Sequence, residues 1–203
     1  MTLRDWKNRL LGTPWVYDSV RPLVVGGLDL GALARFCGTG PADRVFDLGC
    51  GTAQLVSRLE FERYLGVDLD PVALARAARL ASPRIRFLEG DAWDEDFLAL
   101  DPTCVLMIGV VHHLSDAEFE RLVGRLRRGK SPSRRIVAVD VTFFEGMAVN
   151  NLLSRLDRGR HVRTIGGYER LYGEASLGVA RKAELSTRAG YVRYIGFELR
   201  FEG

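Results

Sequence analysis

The stretch that most constrains the fold is residues 45–53, Val-Phe-Asp-Leu-Gly-Cys-Gly-Thr-Ala, in which a hydrophobic run enters a turn with two glycines. Glycine is needed where the backbone takes a positive φ or lies directly against a ligand. Residues 54–60 then predict a helix, and the start of a helix offers unpaired N–H donors and the positive end of its dipole. The stretch therefore predicts a strand–turn–helix unit whose turn can hold a phosphate or a carboxylate.

Apolar runs and helical segments alternate through most of the chain. Because their connections are short, the crossovers should be right-handed and the strands should form a parallel sheet with helices on both faces. The predicted strands of this part are residues 44–48, 64–68, 85–88, 104–109 and 135–141. Asp70 followed by Pro71 predicts one helix start, and Ser115 with Glu118 has the spacing of a capping box at another.

The C-terminal part follows a different pattern. Residues 179–187 and 191–201 are two strand-like runs joined by Arg-Ala-Gly, which indicates a hairpin. The predicted fold class is therefore α/β: a Rossmann-like, seven-stranded, mostly parallel sheet with an antiparallel C-terminal hairpin and helices on both faces.

With 203 residues, the chain has the length of one domain. We expect four regions within it: a helical cap over residues 1–40, with helices at about 2–10 and 28–37; a cofactor-binding core over 41–142; a substrate-side insertion over 143–176; and the hairpin over 177–203.

Composition excludes several classes of protein. A hydrophobic share of 47% and a net charge of +3 are ordinary for a packed globular domain and exclude disordered and collagen-like chains. Three cysteines without a Cys-x-x-Cys pair argue against a disulfide framework and a zinc finger, and fit a reducing cytoplasm. No apolar run reaches the roughly 18 residues that a membrane span needs. We therefore expect a cytoplasmic protein with no membrane span and no metal.

The details of the glycine turn decide between ligands. A dinucleotide fingerprint requires Gly-x-Gly-x-x-Gly, and Gln54 stands at its last position. The turn instead resembles the first motif of class I S-adenosylmethionine-dependent methyltransferases, Asp/Glu-x-Gly-x-Gly-x-Gly. Asp47, Gly49 and Gly51 match it, while Ala53 replaces the last glycine. We expect that departure to be small, since alanine still allows close packing.

The resemblance implies roles for residues that follow the successive strands. Asp68, at the end of the second strand, would bind both ribose hydroxyls of the cofactor, and Leu69 would flank the adenine. Asp91 would meet the adenine amino group, the backbone N–H of Ala92 would meet the ring, and Trp93 would form a wall of the pocket. The complete set of expected cofactor-binding residues is Asp47, Gly49, Cys50, Gly51, Asp68, Leu69, Asp91, Ala92 and Val110.

By this resemblance, the chain is a methyltransferase that uses S-adenosyl-L-methionine, releases S-adenosyl-L-homocysteine and transfers a methyl group by in-line displacement. Alignment of the reactants supplies much of such catalysis, so a general base is optional and the catalytic residues stay open. His112 and His113 are the candidates, because they follow the fourth strand at the edge of the sheet where ligands bind. The alternative is that this pair packs near the helix start at Ser115.

The expected acceptor is a small molecule, because the chain is compact and mildly charged and carries no added nucleic-acid module. Tyr17, His113 and Arg160 are candidate substrate residues. Arg160 lies in the arginine-rich stretch 155–163, which would either bind an anionic group or form a solvated basic face. We predict that residues 142–167 line the substrate cleft.

Other functions stay open. The chain could methylate RNA such as tRNA, although the small metabolite is preferred and DNA is not expected. It could be a methyltransferase-fold accessory protein without turnover. An NAD(P)-dependent oxidoreductase is disfavoured by Gln54 and by the lack of a Tyr-x-x-x-Lys pair. The oligomeric state is left undetermined.

Overall fold

The computed structural model describes residues 28–131, 134–155, 157, 159–188, 190 and 192–202. These residues form seven strands: β1 (Arg44–Leu48), β2 (Arg63–Asp68), β3 (Ile85–Glu89), β4 (Cys104–Ile108), β5 (Arg135–Val141), β6 (Leu177–Ser186) and β7 (Arg193–Phe201). The helices among them are α1 (Leu30–Cys37), α2 (Pro71–Ala77), α3 (Asp94–Leu100), α4 (Asp116–Leu126), α5 (Ala148–Arg155) and α6 (Ile165–Glu174). The first predicted helix, at residues 2–10, and Tyr17 lie outside the described residues.

The strands form one mixed sheet in the order β3-β2-β1-β4-β5-β7-β6. Strands β1 to β5 are parallel, whereas β7 runs antiparallel to both β5 and β6. The predicted seven-stranded sheet with an antiparallel C-terminal hairpin is therefore confirmed. Strand β6 is the outer strand of the described sheet on one side, and its pairing with β7 is interrupted by a bulge between Val179 and Arg181.

Alternating residues of the central strands enter two separate hydrophobic clusters, one on each face of the sheet. Phe46 packs with residues of α3, α4 and α6 on one face. Val45 packs with α1 and the segment after β1 on the other. Helices therefore cover both faces, as the sequence predicts.

Local signals place several helix ends where the sequence predicts them. Asp29 caps α1 by accepting from the backbone N–H groups of Gly31 and Ala32, and Asp70 caps α2. Ser115 and Glu118 form both halves of the capping box at the start of α4. Each of these caps uses a side chain within three residues of the groups it satisfies, which explains why the sequence predicts it.

The helix predicted at residues 54–60 is wrong. The structure has a single 3-10 turn there, Val56–Arg58, and the backbone is extended again at Leu59. Only residues 49–62 separate β1 from β2, and the glycine turn uses the first of them. The remaining residues have to lead from the carboxyl end of β1 back to the start of β2. They cover one face of the sheet with the buried side chains of Leu55, Val56 and Phe61 and form no α-helix.

Two helices occupy the region predicted as a substrate-side insertion. In α6, Tyr168, Leu171 and Tyr172 are buried in the hydrophobic cluster that also contains Phe197 of β7. Residues 165–174 therefore cover the sheet. No helix of the described residues is long and apolar enough to cross a membrane.

Candidate active site

The glycine turn after β1 is built by the backbone. Gly49 and Gly51 both have positive φ, 75° and 54°. The N–H groups of Gly49 and Cys50 donate to the carbonyl of Val67 at 2.8 and 3.1 Å, which ties the turn to the end of β2. We call this turn, residues 49–53, the cradle.

Asp68 holds the cradle from the neighbouring strand. Its Oδ2 accepts from the Gly51 N–H at 2.7 Å, and its Oδ1 accepts from the Asp70 N–H at 2.9 Å. The carboxylate predicted to bind ribose therefore lies directly against the second glycine, at the carboxyl ends of two adjacent parallel strands.

The two glycines serve different purposes. A Cβ at Gly49 would lie 2.7 Å from Cγ2 of Val110, so that position has no room for a side chain. A Cβ at Gly51 would meet nothing within 4 Å, and the same is true of Gly90 after β3. Val110 thus closes one side of the cradle, and open space lies beside Gly51.

Ala53 occupies the position of the family's third glycine. It is buried and has a φ of 54°, a region that alanine enters at a cost of about 1–2 kcal/mol. We expected this departure to be small because alanine packs closely. The packing is close, but the cost of the substitution comes from the backbone conformation.

Asp47 and Cys50 lie beneath the cradle. Asp47 is buried and accepts a hydrogen bond of 2.5 Å from the Tyr64 hydroxyl, and burial raises the pKa of Asp47 to about 6. The Sγ of Cys50 packs at Gly66, where a Cβ would lie 2.8 Å from it. Burial also raises the pKa of the Cys50 thiol above its ordinary value, which argues against a nucleophile.

The residues after β3 divide between surface and core. Asp91 and Leu69 are half-buried, and Ala92 is exposed. Asp91 lies 3.7 Å from Nη1 of Arg125, measured at its Oδ2. Trp93 was expected to form a wall of the pocket, and this expectation is wrong. It is 2% exposed and packs against Phe46 at a ring distance of 5.0 Å, because the interior beneath β1 needs a large side chain.

His112 lies between two carboxylates at the edge of the sheet. Its Nδ1 is 2.5 Å from Oδ1 of Asp140 in β5, and its Nε2 is 3.1 Å from Oδ1 of Asp157. The second contact has the distance of an ion pair but not the alignment of a hydrogen bond. Burial alone would lower the pKa of His112, but the two carboxylates outweigh burial and raise it to about 9. His112 is therefore an imidazolium at neutral pH.

The same histidine contacts three residues, Asp157, Gly159 and His161, of a segment that we call the strap and define as residues 157 and 159–163. The N–H of His161 donates to the His112 carbonyl at 3.0 Å. Gly159 lies so close to the imidazole that a Cβ there would be 2.0 Å from Cδ2. Arg163 donates to the carbonyls of Val111 and Leu114 at 3.2 and 2.8 Å.

Arg163 also pairs with Asp116 at the start of α4, at 2.5 Å. It is therefore engaged by protein groups and does not offer its charge to a ligand. Arg160, the candidate substrate residue of this stretch, is exposed. The strap thus lies at the same edge of the sheet as the cradle, whereas α6, which the predicted cleft lining partly includes, packs on the face of the sheet.

His113 is half-buried, and its ring lies against that of His112, tilted by 38° with a centroid distance of 4.1 Å. One ligand atom each from His112, His113 and Asp157 lies within 4.8 Å of the others, so this group could hold a metal ion. Both ring nitrogens of His112 already face carboxylates.

Comparison with known proteins agrees with this geometry. Residues 45–133 match the family model of a methyltransferase domain. The mitomycin 7-O-methyltransferase MmcR is 21% identical with a TM-score of 0.65, over 85% of this chain and 53% of that one. The pyocyanin biosynthetic protein PhzM is 21% identical with a TM-score of 0.67, over 85% and 55%. Residues 45–133 therefore match a methyltransferase domain, and the chain shares its fold with MmcR and PhzM.

Another solved structure extends the likeness to the whole of this chain. The N,N-8-amino-8-demethyl-D-riboflavin dimethyltransferase RosA of Streptomyces davawensis is 20% identical with a TM-score of 0.65, over 100% of this chain and 62% of that one. The chain thus spans little more than half of the length of MmcR and PhzM. No curated protein matches it. The predicted fold is confirmed, and the match over residues 45–133 supports the prediction of a methyltransferase.

The residues around the cradle fit S-adenosylmethionine, the cofactor that the match to a methyltransferase domain implies. There is open space beside Gly51, and the carboxylate of Asp68 borders it. Gly49 and Gly51 have positive φ and no side chains, so the turn offers its backbone to a ligand. Gly49, Gly51 and Asp68 would hold the nucleoside part of S-adenosylmethionine.

Two acids of the site, Asp140 and Asp157, were missed by sequence reasoning. Asp140 carried a signal, because it is the one charged residue inside the otherwise apolar run 136–141. A carboxylate within a buried strand has to find a partner. Asp157 carried no such signal, because it stands among polar residues.

Proposed function

We propose that this chain transfers a methyl group from S-adenosylmethionine to a small-molecule acceptor. The observation that carries the proposal is the contact between Asp68 and the Gly51 N–H, which brings an acceptor of hydrogen bonds and an open glycine backbone to one edge of the sheet. When bound there, the cofactor supplies a methyl group on a sulfonium, open to in-line displacement. The protein has to bind, align and exclude water.

The backbone and side chains around the cradle have separate tasks in this proposal. Asp68 binds the ribose hydroxyls, and Gly49 lets Val110 approach and close the side of the cradle. Leu69, Asp91 and Ala92 surround the adenine, while Asp47 and Cys50 support the turn from below. Charge-assisted hydrogen bonds such as those of Asp68 contribute about 1.5–3 kcal/mol each.

His113 is the imidazole that we propose to meet the acceptor. His112 is 3% exposed and both of its ring nitrogens face carboxylates, so it has no free nitrogen for an acceptor proton. His113 is half-buried beside it. An acceptor hydroxyl or phenol is the chemistry that an imidazole at this position would serve, with Arg160 at the mouth of the cleft.

The absence of a helix after the cradle bears on the oxidoreductase alternative. Dinucleotide sites place a pyrophosphate on a helix N-terminus, whose dipole and free N–H groups stabilise it. In the described chain the cradle leads only to the 3-10 turn Val56–Arg58. That difference favours a sulfonium nucleoside over a dinucleotide.

Calorimetry with S-adenosylhomocysteine tests the cofactor site. Asp68→Ala should weaken binding ~10- to 100-fold, because a hydrogen bond to a charged group is lost. Asp96→Asn is the matched control: Asp96 makes an exposed ion pair with Arg86 at 2.9 Å, and its loss should leave the affinity unchanged within ~2-fold. Equal affinities of wild type and Asp68→Ala would contradict the proposed site.

A methyl-transfer screen over phenols, carboxylic acids, amines and tRNA then separates the remaining alternatives. Turnover of a small molecule supports the proposal, and turnover of tRNA alone replaces it by the RNA alternative. Tight binding of S-adenosylhomocysteine without any turnover would favour the accessory protein.

A further inference from the structure

His112 joins strand β5 to the strap, and both segments are far from it in sequence. On one side, Oδ1 of Asp140 in β5 lies 2.5 Å from Nδ1 of the ring and 3.2 Å from the His112 backbone N–H. On the other side, Asp157 of the strap lies 3.1 Å from Nε2. The imidazole thus links the edge of the sheet to a segment that follows α5.

The surroundings of the ring leave little space for a reacting molecule. Gly159 covers the Cδ2 edge, where any side chain would clash, and His113 covers one face. Asp140 and His112 are almost completely buried. A side chain enclosed in this way contacts protein groups and not an acceptor.

We propose that His112 is a positioning residue, which fastens the strap to the sheet edge and so fixes one wall of the acceptor cleft beside His113. This inference rests on the proposed methyltransferase function for its meaning, but the fastening itself can be tested without turnover.

Removal of one member of the link should release the strap only partly, because Arg163 provides a second fastening. Its guanidinium holds the carbonyls of Val111 and Leu114 and the carboxylate of Asp116. The two fastenings lie at opposite ends of the strap. Loss of the first should therefore free the end near Asp157 while the end near Arg163 stays attached.

Limited proteolysis with trypsin measures the release, since the sequence has arginines at 155, 158, 160 and 163. Asp157→Asn should speed cleavage after Arg155, Arg158 or Arg160 ~10-fold or more, because the buried ion pair is broken. S-adenosylhomocysteine affinity should stay within ~2-fold of wild type, as expected for an independent site. Asp96→Asn again serves as the control and should not change the cleavage.

His112→Asn provides the second variant. It should release the same fragments as Asp157→Asn, and the double variant should add little, since both remove one link. With the first acceptor found in the screen as probe, the acceptor KM should rise in both variants. The kcat at saturating acceptor should fall less than the ~10²–10⁴-fold that loss of a general base causes.

Two results would overturn the inference. One is a strap as resistant to trypsin in both variants as in wild type. The other is a kcat of His112→Asn reduced by ~10²-fold or more while the strap stays protected, which would make His112 the base. Failure of wild type to bind S-adenosylhomocysteine would reject the proposed function and leave the proteolysis result valid.

Discussion

The cradle and the strap lie at the same edge of the sheet but are built in opposite ways. The cradle is a backbone structure, in which glycines with positive φ donate N–H groups to Val67 and Asp68. The strap is held by charged side chains, with His112 between Asp140 and Asp157. A backbone site depends on the absence of side chains, whereas the charged link depends on the proton that makes the His112 ring a cation.

The largest effect should come from adding a side chain to the cradle. Gly49→Ala combines a positive φ with a contact 2.7 Å from Val110, so the free energy of unfolding should fall by about 2–4 kcal/mol. Chemical denaturation measures this, and calorimetry should show a parallel loss of S-adenosylhomocysteine affinity. Gly124→Ala, in an exposed helical position with open space, should instead stabilise the protein by about 0.5–1 kcal/mol. Equal changes in the free energy of unfolding for Gly49→Ala and Gly124→Ala would contradict a special role of Gly49.

The contribution of the His112 link to the stability of the protein should depend on pH, whereas the contribution of the cradle backbone should not. The pKa of His112 is raised from 6.5 to about 9 in the folded protein, so the folded state binds the proton more tightly than the unfolded one. Its contribution to stability is complete below pH 6.5 and is lost as pH rises through about 9. We expect a loss of about 3–4 kcal/mol, because each pKa unit of the shift corresponds to about 1.4 kcal/mol.

Denaturation of wild type and His112→Asn at a series of pH values measures this contribution as the difference between the two proteins. The subtraction is needed because burial also raises the pKa of Cys104 to about 12, which lowers stability at alkaline pH in both proteins. A difference that does not change with pH would show that the link does not depend on the imidazolium.

The smallest effect should come from relieving the cradle of its one strained side chain. Ala53→Gly removes the cost of a φ of 54°, and the greater freedom of glycine in the unfolded chain offsets part of the gain. The free energy of unfolding should rise by about 0.5–1 kcal/mol. Ala75→Gly, in the exposed part of α2, should lower it by about 1 kcal/mol. Destabilisation of both variants would mean that Ala53 is not strained.

The same contrast explains what could be predicted from the sequence. The sheet, its hairpin and the cradle follow from local patterns: buried runs, turn residues and glycines whose effect acts on their own backbone. The contact of Asp68 with Gly51 also follows, because adjacent parallel strands bring their carboxyl ends together. These features could be predicted because each depends mainly on residues that are close together in sequence.

The features that were predicted wrongly or not at all depend on residues that are distant in sequence. Residues 54–60 have a helical composition, but the short return from β1 to β2 prevents a helix there. Trp93 follows a strand end like a pocket residue, but the space beneath Phe46 draws it into the core. Asp157 meets His112 only because the segment after α5 folds back over the sheet edge, and nothing near either residue in the sequence encodes that return.

The outer strand β6 carries a consequence for solubility. An outer strand leaves backbone hydrogen-bonding groups facing away from the sheet, and flat outer strands invite other chains to add on. In β6 a bulge lies between Val179 and Arg181, and Arg181 and Lys182 follow it. An approaching strand would meet an irregular backbone and two charged side chains, which disfavour the edge-to-edge addition of further copies.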